Sequence, residues 1–430
     1  THVFETHVHN DYVTGALELR DRVGATIVTA AAAGVRYDHL GVRESDSVAV
    51  GGLRFVALET PGHTPSHLSY ALYAPEASEP HAIFTGGSLL TGAIGRTDLV
   101  SPGMTLTLTR EQYRSLRRLL DTLPVATLVY PTHGAGSFCG ATTLSSKARS
   151  STIGQERAHN PVTQADDEAA FVREQIAGYG LYPSYYHHMR DTNIAGPRVL
   201  GAVPEVEGLS APQVRDLLGA GVPLLDGRSR DAFAREHIPG AFNLELDSSF
   251  GSYVGWLLPF NAPLTLLIED ASGLREAVAQ LFRIGFEQTQ GYLEGGVDAW
   301  RAEGYPTATF ERISVAELRH RLDEQRAPLA VLDVRDETEW RDGHIPGAQH
   351  VHIADLLRHM HETPLDRPVA VVCRSGFRAS IGASIIAALG RQTIAVEGGV
   401  RDWIASGYPT LYGPGDGSVG AAHAHEHAHP

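Results

Sequence analysis

The chain has 430 residues, 43% of them hydrophobic and 20% charged, a composition that excludes disorder as its general state. Its 35 Lys and Arg stand against 50 Asp and Glu, a net charge of −15, which leaves no broad basic face for nucleic acid. No apolar run reaches the ~18–20 residues of a membrane span, and two cysteines, Cys139 and Cys373, are too few for a disulfide scaffold. The length predicts several domains, at roughly 100–200 residues each. The scarcity of cysteine predicts a reducing, cytoplasmic setting, and the acidic balance and the want of a long apolar run predict neither nucleic acid nor membrane as a partner. Thr1 opens the chain without a charged-then-apolar leader, so no secretory signal is read.

In chain order, the first informative segment is Thr6-His7-Val8-His9-Asn10-Asp11-Tyr12. Two histidines at alternate positions converge on one metal when the chain is leaving a strand. Three more turn segments follow: Thr60-Pro61-Gly62-His63-Thr64-Pro65-Ser66-His67, then Phe84-Thr85-Gly86-Gly87-Ser88, then Tyr130-Pro131-Thr132-His133-Gly134. Each comes after a β-like apolar stretch and is marked by Gly or Pro. Histidine-bearing turns at strand ends form a metal-site constellation, although any one of them alone is an ordinary turn histidine.

Residues 150–196 read as a connecting segment. Asp166 to Ala177 has helical spacing with its charges outward. Tyr182-Pro183-Ser184-Tyr185-Tyr186-His187-His188 is aromatic and is expected to pack, with lining of an entrance as the alternative.

The second half repeats itself. Leu225-Asp226-Gly227-Arg228 matches Leu332-Asp333-Val334-Arg335, and His237-Ile238-Pro239-Gly240-Ala241 matches His344-Ile345-Pro346-Gly347-Ala348. Gly295-Gly296 with Trp300 matches Gly398-Gly399 with Trp403. Two copies of about a hundred residues suit two domains rather than a solenoid. Each alternates short apolar runs (Ala330–Val334 and Pro368–Val372 in the second copy) with helix-length segments such as Ala379–Leu389. That alternation predicts a parallel α/β sheet with its chemistry at the carboxyl ends of the strands.

The copies differ at one place. In the second, the apolar run enters Cys373-Arg374-Ser375-Gly376-Phe377-Arg378 and a helix pattern begins at once. A thiol between a strand end and a helix start faces unpaired backbone N–H groups, which favour thiolate. Arg374 and Arg378 add positive charge, and Gly376 permits a tight loop. The alternative is a buried, inert cysteine. In the first copy the matching interval is Leu266-Leu267-Ile268-Glu269-Asp270, with no cysteine and with acids in place of arginines.

The second copy resembles the rhodanese family of sulfurtransferases in Asp333-Val334-Arg335, the Gly343–Ala348 segment, the Cys373–Arg378 loop and Gly398-Gly399 with Trp403. The resemblance implies that Cys373 carries a sulfane sulfur as a persulfide. Arg374, Arg378, Asp333 and Arg335 then belong to its catalytic set, and Ser375, Gly376 and Phe377 to the substrate loop, with no cofactor. Thiosulfate or glutathione persulfide is the implied donor and a thiol the acceptor. The first copy resembles a non-catalytic rhodanese-like domain.

The N-terminal region resembles the metallo-β-lactamase fold in its glyoxalase II and persulfide dioxygenase branch. The residues that carry this are His7-x-His9-x-Asp11, Gly62-His63-Thr64, Thr85 to Leu90, Gly95-Arg96-Thr97-Asp98-Leu99 and His133. The resemblance implies His7, His9 and His63 at one metal position and Asp11 and His133 at a second, with one Fe(II) or Zn ion. The chain has Tyr12 where the family has histidine and Gly87 where it has a bridging aspartate. A two-metal thioester hydrolase needs both, so a single-metal persulfide dioxygenase is the leading expectation. A glyoxalase II-like hydrolase and a metal-free scaffold with a sulfur-carrier domain remain the alternatives. His7 stands close to the first residue, so the sandwich is expected to be N-truncated.

The expected architecture is therefore α/β throughout: a metallo-β-lactamase-like αββα sandwich with a helical extension (1–195), a non-catalytic rhodanese-like domain (196–309), a catalytic rhodanese domain (310–412) and a His-rich disordered tail (413–430). Association into a homo-oligomer is left open.

Overall fold

The computed structural model describes residues 1–134, 138–140, 148–324, 328–359 and 367–414. Of the expected His-rich tail, residues 415–430 lie outside the described residues. The chain divides into two compact units, Thr1–Ala202 with Arg283–Gly285, and Val203–Phe282 with Phe286–Pro430.

The first unit is built on two larger sheets. One is parallel, in the order His2–Phe4, Thr26–Ala30, Leu40–Val42. The other has six strands in the order Ser151–Thr152, Leu128–Pro131, Ala82–Gly86, Leu68–Tyr73, Leu53–Glu59, Ser47–Val50. In it only Leu128–Pro131 and Ala82–Gly86 run parallel. Val28, Ala30 and Val42 of the first sheet share one core with Val48, Ala57, Leu68 and Tyr70 of the second, so the sheets pack face to face. Each outer face is covered by a helix. Ala16 and Leu17 of helix Ala16–Val23 pack on Ile27. Leu116, Leu119 and Leu120 of helix Thr105–Thr122 pack on Ile83 and Val129. The expected αββα layering follows, because each sheet presents alternate residues to two apolar surfaces. The expected helix of the connecting segment spans Glu168–Ala177. It starts after Asp166 because the Asp167 carboxylate caps it, accepting from Ala170 N–H at 2.7 Å.

Strand direction gathers the histidine turns. Leu53–Glu59 and Ala82–Gly86 are both antiparallel to Leu68–Tyr73, and Leu128–Pro131 is parallel to Ala82–Gly86. Their carboxyl ends therefore share one edge of the sheet. Leu68 N–H reaches the Thr6 carbonyl at 2.7 Å and ties the exit of His2–Phe4 to the same edge.

The second unit holds two five-stranded parallel sheets of identical order. The first runs Gly208–Leu209, Thr289–Leu293, Leu264–Leu267, Leu224–Asp226, Phe242–Asn243. The second runs Glu311–Ile313, Thr393–Val396, Val369–Val372, Ala330–Asp333, Gln349–His350. The repeat motifs recur as the same contacts. Trp300 and Trp403 donate to the carbonyls of Pro306 and Pro409 at 2.9 and 2.8 Å. His237 stacks on Phe233 and His344 on Trp340, with ring centres 4.1 and 3.7 Å apart. The two repeated histidines are thus packing residues.

Helix Phe377–Ala388 is buried on almost every side. It packs on its own sheet, while Ser380 donates to Asn243 Oδ1 at 2.8 Å and Ser384 Oγ accepts from Asn243 N–H at 2.9 Å. The first copy therefore covers the back of this helix, which explains its lack of a polar face. Among the described residues, no helix is long and apolar enough to cross a membrane.

Candidate functional site

At the gathered edge of the first unit, His7, His9, His63, His67 and His133 are all buried. One ligand atom from each of His7, His63 and His133 lies within 4.8 Å of the other two, and the same holds for His9, Asp11 and His133. All five expected metal ligands thus come together, but their grouping differs from the expectation. His9 joins Asp11 instead of His7 and His63, and His133 belongs to both sets.

The hydrogen-bond partners explain the difference. Tyr12 lies on the His9 ring, with centres 4.2 Å apart, and its hydroxyl bonds His9 Nε2 at 3.0 Å. A phenol in the family's histidine position therefore occupies a nitrogen that the resemblance assigned to metal. At Gly87, an added Cβ would overlap the His63 ring, so the imidazole fills the space a bridging carboxylate would need. His63 Nδ1 bonds the Arg96 carbonyl at 2.7 Å, His7 Nδ1 bonds Thr6 Oγ1 at 2.9 Å, and His133 Nδ1 faces Asp11 Oδ2 at 3.2 Å. His7 and His133 bring their Nε2 atoms to 3.3 Å, and His63 Nε2 is buried without a hydrogen-bond partner. The site fits a metal ion: imidazole nitrogens converge, and His63 Nε2, His9 Nδ1 and Asp11 Oδ1 are buried without hydrogen-bond partners.

Burial dominates the protonation of the cluster. It pushes His9 down to about 3 and His63 down to about 4, and it holds His7 and His67 well below the usual imidazole range. Burial raises Asp11, but the adjoining His133 outweighs it and the carboxyl settles at about 2. His7, His9, His63 and His67 are therefore neutral and the Asp11 carboxylate ionised near pH 7.

His67 belongs to this network although the sequence placed it only in the same turn as His63. It stacks on His7 at 4.9 Å, bonds Thr60 Oγ1 through Nδ1 at 2.8 Å, and accepts Gly87 N–H at Nε2 at 3.1 Å. Both nitrogens are spent, so it supports the cluster rather than ligating. The aromatic connecting segment packs here as expected. The Arg96 guanidinium lies 4.8 Å from the Tyr182 ring centre, Tyr185 and Tyr186 are buried, and the Cys139 sulfur is 3.9 Å from the Tyr186 hydroxyl.

In the second unit, Cys373 follows strand Val369–Val372 directly, and helix Phe377–Ala388 starts four residues later. The thiol is buried and accepts Gly376 N–H at 3.1 Å. Gly376 turns the chain into the helix with φ at +97°, a left-handed conformation that favours glycine. From the other side, Val400 N–H bonds the Cys373 carbonyl at 2.7 Å, and a Cβ at Gly399 would overlap that carbonyl. The repeated Gly-Gly pair is therefore a close-approach site that holds the loop. Arg374 and Ser375 are exposed. Arg378 is held by Glu339 at 2.7 Å and Asp336 at 3.3 Å, and His352 bonds the same Asp336 at 2.9 Å.

Asp333 and Arg335, expected in the catalytic set, bond each other. Their side chains form a buried bidentate pair at 2.7–2.9 Å, and the guanidinium also bonds the Gly343 carbonyl at 2.8 Å. In the first copy Asp226, Arg228 and the Glu236 carbonyl repeat this arrangement at 2.6–2.9 Å. The same clamp thus recurs in a copy without cysteine, where it likewise ties the strand end to the following loop.

Sheet register fixes what replaces the cysteine. Asp333 pairs with Val372 and Asp226 with Leu267, so Ile268 stands where Cys373 stands. Its methyl groups fill the space beside Gly227 and Gly273, and Asp270 accepts Gly273 N–H at 2.8 Å at the start of the next helix. The first copy instead lends a wall to the second. Tyr253 meets Phe377 with ring centres 5.2 Å apart, and Trp256 meets His352 at 5.1 Å. Burial pushes Tyr253 up to about 12. Neither residue carries a motif, and both lie more than a hundred positions before the loop, so the sequence offered no signal for them.

Comparison with known proteins agrees with this anatomy. Residues 1–133 match the metallo-beta-lactamase superfamily, and residues 210–303 and 314–406 each match the rhodanese-like domain. The chain is 34% identical over 158 residues to a mitochondrial persulfide dioxygenase of Mus musculus, covering 36% of this chain and 54% of the relative. It is 32% identical over 133 residues to a hydroxyacylglutathione hydrolase of Pseudomonas syringae pv. syringae (strain B728a), covering 31% and 47%. The chain thus spans about half the length of these curated relatives. A crystal structure of a metallo-beta-lactamase from Staphylococcus aureus subsp. aureus COL aligns with a TM-score of 0.59 at 27% identity, over 68% of this chain and 83% of that one. The chain joins a domain of the metallo-beta-lactamase superfamily to two rhodanese-like domains, of which the second alone has a cysteine at the strand-to-helix turn.

Proposed function

We propose that the chain transfers sulfane sulfur through a persulfide on Cys373 and oxidises persulfide in its first unit. The observation that carries the reading is the Cys373 sulfur at a strand-to-helix turn, bonded by Gly376 N–H, where the otherwise equivalent first copy has Ile268. Backbone N–H groups at such a turn stabilise negative charge on sulfur. Attack on thiosulfate forms a Cys373 S–S bond and releases sulfite with the electron pair of the bond broken. A thiol acceptor, as its thiolate, then takes the outer sulfur and Cys373 leaves as thiolate. Arg374 is exposed beside the sulfur and suits an anionic donor such as thiosulfate or glutathione persulfide.

In the first unit the balanced reaction is persulfide, O2 and water giving thiol, sulfite and two protons; the sulfane sulfur loses four electrons and O2 gains them. Fe(II), when bound by the histidine cluster, supplies the redox chemistry that O2 requires. His7 and His63 present neutral nitrogens, and Asp11 and the Arg96 carbonyl orient His133 and His63. A two-metal thioester hydrolase is the weaker reading, because Gly87 and Tyr12 supply neither of the ligands it needs. Carrying both activities on one chain raises the effective concentration of persulfide for the second step.

Mass spectrometry of the full chain mixed with thiosulfate tests the transfer step. The expected gain is one sulfur atom on the Cys373 peptide, absent in Cys373→Ser together with thiosulfate-to-cyanide turnover. Equal turnover in Cys373→Ser would overturn the reading.

A further inference from the structure

Helix Phe250–Leu257 belongs to the copy without a cysteine, and its two sides meet different partners. Phe250, Val254 and Leu257 are buried. Gly251 N–H donates to Gln280 Oε1 at 3.0 Å, and a Cβ at Gly251 would press on the Gln280 carbonyl, so this side is fixed to its own copy. Tyr253 and Trp256, one helical turn apart, share another side. There the Tyr253 ring meets Phe377, within the Cys373–Arg378 loop, at 5.2 Å, and the Trp256 ring meets His352 at 5.1 Å. His352 accepts Ala354 N–H at Nδ1 and donates from Nε2 to Asp336, a carboxylate that also holds Arg378. The helix is thus anchored in one copy and reaches the thiol loop of the other.

The charged groups around that loop are mostly spent on one another. Arg378 is paired with Glu339 and Asp336. Arg230, whose guanidinium lies 5.8 Å from the Phe377 ring centre, is paired with Glu245 at 3.1 Å. Arg374 is the exposed exception. The Tyr253 phenol differs from these groups. It is near enough to feel the charges of Arg378, Cys373, Asp336 and Glu339, and among the described residues no hydrogen bond takes up its O–H. Burial first of all pushes it up to about 12, so the proton stays on the oxygen near pH 7. A neutral O–H close to the Cys373 sulfur is a donor lacking an acceptor, and an anion bound over the sulfur supplies one.

We infer that Tyr253 is a specificity-determining residue of the Cys373 site, its hydroxyl donating to an anionic oxygen of the sulfur donor. The inference rests on the proposed transfer through Cys373 and goes further by naming a residue of the other copy that selects the donor. For thiosulfate the acceptor is a sulfonate oxygen. As Cys373 takes the outer sulfur, the sulfur–sulfur bond breaks, its electron pair leaves with sulfite, and charge gathers on the departing group. A fixed O–H stabilises that charge without giving up its proton. Cyanide, as acceptor in the second half of the cycle, has no oxygen and does not call on Tyr253.

The test is steady-state sulfur transfer from thiosulfate to cyanide by the full chain, wild type against Tyr253→Phe, which keeps the ring on Phe377. When the two substrates react in turn with one covalent intermediate, the kcat/KM of each reports its own half-reaction. Loss of a hydrogen bond to a charged group should lower kcat/KM for thiosulfate about ten- to a hundredfold. The kcat/KM for cyanide, the alkylation of Cys373 by uncharged iodoacetamide and the urea midpoint should all be unchanged. Circular dichroism checks the fold, and Tyr253→Leu takes the place of a Tyr253→Phe that does not fold. An unchanged kcat/KM for thiosulfate would overturn the inference. So would an equal fall for cyanide and iodoacetamide, which would make the residue a structural support of the loop. A wild-type chain that takes no sulfur on Cys373 would instead overturn the transfer reading, and this inference with it, while leaving the first unit's chemistry untouched.

Discussion

The Arg335 guanidinium donates to the Asp333 carboxylate at 2.7–2.9 Å, both are buried, and removing either partner leaves the other charge buried. Breaking such a pair costs about 3–5 kcal/mol. Asp333→Ala should therefore lower stability by that order in urea unfolding, and Asp226→Ala should do the same in the copy that has no cysteine. An Asp333→Ala protein of unchanged stability but lost turnover would return Asp333 to the catalytic set. The buried histidines give the residue scale a pH signature. His9 and His63 sit at about 3 and about 4 in the folded chain, against an ordinary value of 6.5. The unfolded chain then binds protons first as pH falls. Their contribution to stability is whole above pH 6.5 and is lost progressively towards pH 4. Urea midpoints of the first unit's transition in the metal-free chain should decline over that interval, and added Co(II) should oppose the decline. A midpoint that is flat from pH 7 to pH 4.5 would remove the buried neutral histidines from the account.

At the scale of elements, the strand–turn–helix around Cys373 is defined as much by its counterpart as by itself. Between strand and helix it has four residues, Cys373 to Gly376, whereas the first copy has three, Ile268 to Asp270. The shorter turn ends on a carboxylate that already takes Gly273 N–H and the Ser272 hydroxyl. Asp270 therefore sits below the ordinary carboxylate range, held there first by the Gly273 N–H. The donors that would stabilise an anionic sulfur are occupied by the protein's own anion. Placing a thiol there should not create a second carrier. Ile268→Cys in a Cys373→Ser background is expected to gain no sulfur from thiosulfate by mass spectrometry. A persulfide at that position would mean that the cysteine alone, and not the turn, makes the site.

Across the whole molecule, the two units have separate cores. A ligand that binds one folded unit stabilises that unit by mass action, about 2.7 kcal/mol at a hundred times its Kd. Calorimetry of the full chain should show a transition that rises with Co(II) and falls back with chelator, beside one that ignores both. His133→Ala should abolish the shift. A single transition that moves as one would show that the units unfold together.

Several features were legible without any structure because they are local in the chain. The His-Ile-Pro-Gly-Ala segment is repeated outright, while the Cys373–Arg378 loop and the turns bearing His7, His63 and His133 each sit where an apolar run ends, and strand ends are where an α/β sheet places its chemistry. Other features depend on which side chains face one another across strands far apart in sequence. The sheet register set Ile268 against Cys373, the recurrence of the Asp–Arg pair in both copies marked it as a clamp, and the first copy brought Tyr253 to Phe377. Which imidazole nitrogen carries a proton is likewise decided by its neighbour: the Arg96 carbonyl for His63 and Asp11 for His133. Sequence spacing places a histidine at an edge, but only packing around its ring decides which nitrogen keeps a lone pair and where that lone pair points.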